Sequence, residues 1–240
     1  MLEYVFELHN RAVRCIADVK FNKHDEIQRI LICLYATILE QCESIAILIS
    51  NRRPAGTDAI LRSILEAMVD MTALLADPSY LHFMNAAYHK EWAKLIEQGV
   101  SGDNRFLEGF GEQEGIPKAL ANHRAQLQVL KEQGYEPLNN YERFRRADMV
   151  EEYRAIYNML CSESHNNIRV LINRHMVAAD GDIALNLSSD NGEYEVTLDS
   201  VAGVLLAATL AMHKAFASGT PEAFEDLNKQ LWDMRKARDG

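Results

Sequence analysis

The feature that most constrains this chain is the spacing of its apolar residues, which recur at three- and four-residue steps along most of its length. That period lines one face of an α-helix and conflicts with the two-residue alternation of a half-buried strand. Only 5 Pro and 12 Gly interrupt 240 residues, so the pattern persists over segments long enough to pack as antiparallel helices. The expected fold is therefore all-α: a multi-helix bundle with one small β-hairpin near residues 183–198, in a single domain spanning residues 1–240. A chain of this length buries roughly 70–75% of its unfolded surface and needs neither a disulfide nor a structural metal to fold.

Local signals mark the elements. A first helix is expected over residues 2–19, and Asp25 with Gln28 forms a capping box for a second over 26–50. The run Arg52-Arg53-Pro54-Ala55-Gly56 makes a tight connection to a third helix, 57–76, which Asp77-Pro78 ends. A fourth helix follows over 79–98, and another over 117–133 after a stretch cut by glycines. Residues 134–146, with Pro137, Asn139 and Asn140, read as a surface loop. Asp148 and Glu151 read as a second capping box, opening one long helix over 149–177. Ile183, Leu185 and Leu187, then Tyr194, Val196 and Leu198, alternate about Ser189-Asp190-Asn191-Gly192, which is the hairpin signal. Asp199 then caps an apolar helix to about 217, and Thr220-Pro221 opens the last, to 236.

Charge narrows the partners. With 25 Lys and Arg against 35 Asp and Glu the net charge is -10, and such a field opposes sequence-independent binding along a nucleic-acid backbone, leaving room for RNA only at a local site. The short basic runs Arg52-Arg53 and Arg143-Phe144-Arg145-Arg146 read as solvated loop charge. Cys15, Cys33, Cys42 and Cys161 lie in apolar helical stretches without a Cys-x-x-Cys, which suits core residues in a reducing compartment. The first residues lack a basic signal-peptide region, and the most apolar run, 201–212, is about half the ~20 residues of a membrane helix. A cytoplasmic location with no membrane contact is expected. No cofactor and no metal is expected either, since Glu163-Ser164-His165 is misspaced for a bundle metal site and phosphate-loop and nucleophile-elbow patterns are absent.

Two polar stripes carry the candidate chemistry. Asp58, Arg62, Glu66 and Asp70 stand four apart opposite the apolar side of the third helix, and they form either a solvated face with weak pairs or a buried ion network. Asn158, Ser162, His165 and Arg169 fall on one side of the late helix, where His165 is either a proton acceptor poised near neutral pH or a hydrogen-bonded packing residue. Cys161 lies four residues before His165, and its apolar neighbours make it a packing residue before a nucleophile.

The segments Leu61-Arg62-Ser63-Ile64-Leu65-Glu66-Ala67 and Tyr157-Asn158-Met159-Leu160-Cys161-Ser162-Glu163-Ser164-His165 resemble a bacterial all-helical family known only as a domain of unknown function. Its members look alike in an early Arg-x-x-x-Glu helix and a late Tyr-x-x-Leu helix ending in His. The likeness spans residues 25–215 and implies Arg62, Glu66, Tyr157 and His165 as a shared polar set; Cys161 stands where a small hydroxyl residue is expected. A looser resemblance is to the HEPN superfamily, helical bundles that often dimerise and cut RNA without metal through an Arg and a His four to six residues apart. Arg169 and His175, with five residues between them, match that spacing, although Val170 replaces the usual polar neighbour. The resemblance implies a dimeric effector of bacterial defence or stress that cleaves or binds RNA. In it His165 or His175 would be the general base and Arg62 or Arg169 would stabilise the phosphate. The other reading is a non-catalytic interaction domain, or one that binds a small anionic ligand through Arg62.

Overall fold

In the computed structural model the chain is described at all residues except 103, 165, 166, 180, 181, 188–191, 193, 220 and 240. Ten helices make up 76% of it, beside one two-stranded antiparallel sheet among the described residues. The early helices follow their local signals closely. Helix α1 is Leu2–Cys15, α2 is Glu26–Ser50 and α3 is Thr57–Ala76. The Asp25 side chain accepts a hydrogen bond from the Gln28 backbone N–H at 3.1 Å and so caps α2. Gly56, at φ 90, opens α3 from the left-handed region, which a glycine adopts without steric cost.

Helices α4 (Tyr80–Ser101) and α5 (Ile116–Glu132) pack mainly on each other, with a small apolar cluster of Ala93, Ile96 and Leu120 between them. The main core lies elsewhere. Helices α2, α3 and α9 (Glu195–Ala215) pack mutually, with α1 against α2 and α9, and bury Tyr35, Ile38, Ile45, Ile64, Met71, Val201 and Leu205 among others. Both α2 and α9 are long and apolar enough to cross a membrane by length and composition. Here they lie together, and the buried Tyr35 hydroxyl donates to Thr209 Oγ1 at 3.0 Å between them. Helix α10 (Glu225–Asp239) buries Leu227 and Leu231 in the same core, and Tyr4 donates to the Leu227 carbonyl at 3.0 Å while Arg235 pairs with Asp199 at 2.8 Å.

Three segments depart from the expected layout. Residues 134–146 are not all loop: helix α6, Asn140–Arg146, opens on a full capping box in which Asn139 accepts from the Glu142 N–H and the Glu142 carboxylate accepts from the Asn139 N–H. Asp148 does not cap; it lies at φ 56, and Met149 begins the next helix without a side-chain cap. The expected single helix over 149–177 is divided. Helix α7 runs over 150–164, with a π-helical turn at Tyr153–Tyr157, and α8, Ile168–His175, restarts where Asn167 Oδ1 accepts from the Arg169 N–H at 3.0 Å.

The hairpin is present and lies earlier than its alternation suggests. Strands β1 (Met176–Ala179) and β2 (Asp182–Leu185) pair antiparallel, Met176 opposite Leu185 and Ala178 opposite Ile183. Tyr194 precedes α9, and Val196 and Leu198 are helical, because Leu198, Val201, Ala202 and Leu205 form a three- and four-residue stripe that the core buries. The expected turn at 189–191 falls outside the described residues. Asp199 is inside α9, where it pairs with Arg235 and does not cap.

Candidate functional site

The stripe on α3 faces inward. Asp58, Arg62, Glu66 and Asp70 project towards α6, α7 and α8, and each meets a partner from another part of the chain. The Glu66 carboxylate accepts from Arg62 Nε at 3.1 Å and from the Tyr157 hydroxyl at 2.8 Å. Tyr157 in turn accepts from Asn140 Nδ2 at 2.6 Å, and the Arg62 guanidinium stands 5.7 Å from the Tyr157 ring centre. The π-turn of α7 brings Tyr157 into a ring cluster, stacked on Tyr153 at 5.5 Å and tilted on Phe144 at 4.8 Å.

Arg143 closes the network from α6. Its Nε and Nη2 donate to the two oxygens of Asp70 at 3.0 and 2.8 Å, the fork geometry only an arginine supplies. Its Nη1 donates to Asn140 Oδ1 at 2.9 Å and lies 3.6 Å from Glu66 Oε2. Tyr80 of α4 donates to Asp70 Oδ1 at 2.7 Å. The solvated-loop reading of Arg143 is thus overturned: the side chain is 20% exposed and Asp70 15%, so α6 is pinned to α3 by a largely buried pair. Of its basic neighbours, Arg145 is exposed and Arg146 lies over the Phe83 ring at 4.0 Å.

The electrostatics follow from this closure. Two guanidinium groups, Arg62 and Arg143, face two carboxylates, Glu66 and Asp70. Burial works against the Arg143 charge, but hydrogen bonding to Asp70 and the nearby negative groups outweigh it and hold its pKa above the ordinary range. Hydrogen bonding to Tyr157, and then to Glu66, holds Arg62 above its ordinary value. Burial first, and the bond to Glu66 second, raise Tyr157, so its phenol stays protonated and acts as a hydrogen-bond relay. Burial and Asp70 raise Tyr80 in the same way.

Two further candidates, Arg169 and His175, lie on α8. His165 is outside the described residues. Arg169 is exposed near the start of α8 and His175 is at its end; six residues apart, they sit about 120° apart around the helix and about 9 Å along it. His175 Nδ1 lies 3.0 Å from the Asn186 carbonyl, which can only accept, so Nδ1 is the donor in that contact and Nε2 is left out of it. Arg174 ties α8 to the bundle through Asp58 and Glu163, each at 3.7 Å. Burial raises the Asp58 pKa, and the charge of Arg174 opposes that rise.

The sequence reading missed Arg143, Asn140 and Tyr80; the spacing Asn139-x-x-Glu142 was the one local signal that announced α6. It also missed the partner of His89, whose Nδ1 meets His123 Nδ1 at 2.9 Å between α4 and α5. Among the described residues no group of three or more His, Cys, Asp or Glu side chains converges as metal ligands would.

The sequence matches no curated protein and no solved structure. The polar set Arg62, Glu66 and Tyr157 lies within residues 28–183, which match a family of unknown function, DUF5677; over that span, more than half its length, the chain belongs to this family.

Proposed function

We propose that the chain is a helical interaction module that works as a homodimer through the arm formed by α8 and the hairpin. The observation that carries this reading is an uncovered apolar surface. Ile168, Leu171 and Ile172 stand at helical spacing on α8, and Met176, Ile183 and Leu185 share one face of the hairpin, followed by Leu187; all are exposed. Their exposures run from 38% for Leu171 to 84% for Leu187, a run of uncovered apolar side chains of the kind that marks an interaction surface. The Arg62 network supports the same reading, because its paired charges set helix register. The test is molar mass by light scattering across a concentration series, with Ile183→Asp and Leu185→Asp combined. The parent protein is expected to be dimeric and the variant monomeric with an unchanged helical spectrum. A parent protein monomeric at tens of micromolar would sink the reading.

A second reading is favoured by the His175 tautomer. An imidazole whose Nδ1–H is held by a carbonyl offers Nε2 as a general base, so the arm could cleave RNA without metal, with Arg169 stabilising the phosphate. Cleavage of structured RNA in chelator, abolished by His175→Ala, is the expected result. His165→Ala is the parallel test, and cleavage indifferent to both substitutions excludes the reading.

A further inference from the structure

A cleft of about 360 Å³ runs beside α4 under the segment that leads into α6. We propose that it binds a small organic cation with an apolar body. The proposal does not depend on the dimer or on RNA, since the cleft is built from α3, α4 and the α6 segment, away from α8 and the hairpin. Its volume is at the small end of ligand sites.

Shape and lining set the body of the ligand. Along α4, Tyr80, Met84, Ala87 and Glu91 recur at helical spacing, so the wall extends for about 16 Å, and Leu138 closes it from the opposite side. Phe83, Met84, Ala87 and Leu138 give the cleft an apolar wall, while the lining as a whole is almost as polar as apolar, which favours an apolar body held between polar ends.

Charge sets the head group. At the inner end Asp70 is already compensated by Arg143, whose guanidinium is itself taken up by Asp70, Asn140 and Glu66. That end therefore has no uncommitted cation for an anionic ligand. At the outer end Glu91 has no hydrogen bond or ion pair among the described residues, and Tyr88, one turn before it on α4, lines the same end with a half-exposed ring that also packs against His89, Trp92 and His123. A carboxylate next to an aromatic face is an ammonium site: the ion pairs with one and is attracted by the quadrupole of the other. The net charge of -10 adds long-range attraction for a cation and repels an anion.

Three probes of matched body test this by calorimetry on the full chain: 4-phenylbutylammonium, 4-phenylbutanol and 5-phenylpentanoate. The ammonium is expected to bind in the millimolar range or tighter, the alcohol several-fold more weakly, and the carboxylate not at all. Glu91→Gln, at an exposed position, is expected to bring the ammonium down towards the alcohol by about threefold or more, and Tyr88→Leu, which also gives up the ring contacts to His89, Trp92 and His123, is expected to do the same with an unchanged helical spectrum. Ala87→Trp, which fills the cleft, is expected to abolish binding while keeping the helical spectrum. Equal or tighter binding of the carboxylate, ammonium binding unchanged by Glu91→Gln, or no ammonium binding at millimolar concentration overturns the proposal.

Discussion

Replacing Arg143 by methionine tests whether the buried network carries stability. Methionine keeps much of the apolar stem and removes the fork that holds both oxygens of Asp70 and the Asn140 carbonyl. Asp70 would then retain the Tyr80 hydroxyl alone, with its side chain only 15% exposed. Stranding one member of a fully buried pair costs about 3–5 kcal/mol, whereas an exposed pair is worth about 0–1 kcal/mol. At this burial the former regime applies at its lower edge, so a loss of about 3 kcal/mol is expected. Lysine at the same position keeps the charge but not the fork, and a loss of about 2 kcal/mol is expected. The assay is urea unfolding followed by far-UV circular dichroism at pH 7, with an unchanged slope showing that the folded state is intact. Asp70→Asn combined with Arg143→Met should cost less than the sum of the single variants by at least about 1 kcal/mol, because the stranded charge is gone. A single-variant loss under about 1 kcal/mol, or strict additivity, would refute the argument that the pair is buried and coupled.

Three further outcomes are expected. Burial, with His123 adding its charge, lowers the His89 pKa, and burial lowers that of His213, so both take up fewer protons folded than unfolded near pH 6. Stability should therefore be complete above the unfolded value of about 6.5 and decline as pH falls below it; unfolding midpoints at several pH values check this, and His89→Gln should flatten the decline. Tyr157→Phe keeps the ring stack but removes the hydroxyl that joins Asn140 to Glu66, and a loss of about 1–2 kcal/mol in the same urea assay is expected. Asn139→Ala removes the α6 cap and should cost about 1 kcal/mol, with faster hydrogen exchange at the Glu142 amide.

The class of fold and the extents of α2 and α3 are legible in the sequence because their causes are local. A cap, an apolar stripe and a breaker act within a few residues of one another, as Asp25, Gly56 and Asp77 do here. The same locality made Asn139-x-x-Glu142 readable in principle, yet the neighbouring Pro137 and paired asparagines give a turn signal that competes with it. In the hairpin two signals competed as well: Asp180-Gly181 stands between the two strands in the sequence, while the alternation beyond it pointed to a later turn.

What the sequence determined by itself was the helical periodicity, the acidic balance and the polar stripe of Asp58, Arg62, Glu66 and Asp70 on α3; the grouping of Arg62, Glu66, Tyr157 and His165 came only from the family resemblance. Whether that stripe was surface or interior was decided only in three dimensions, when Arg143 of α6 met Asp70 of α3 across 73 positions of chain and Tyr157 met Glu66 across 91. An ion pair of that span leaves no periodic trace, because either residue alone looks like an ordinary exposed charge. Only the packing of α6 and α7 on α3 removes water from both partners and makes their attraction strong enough to set the arrangement.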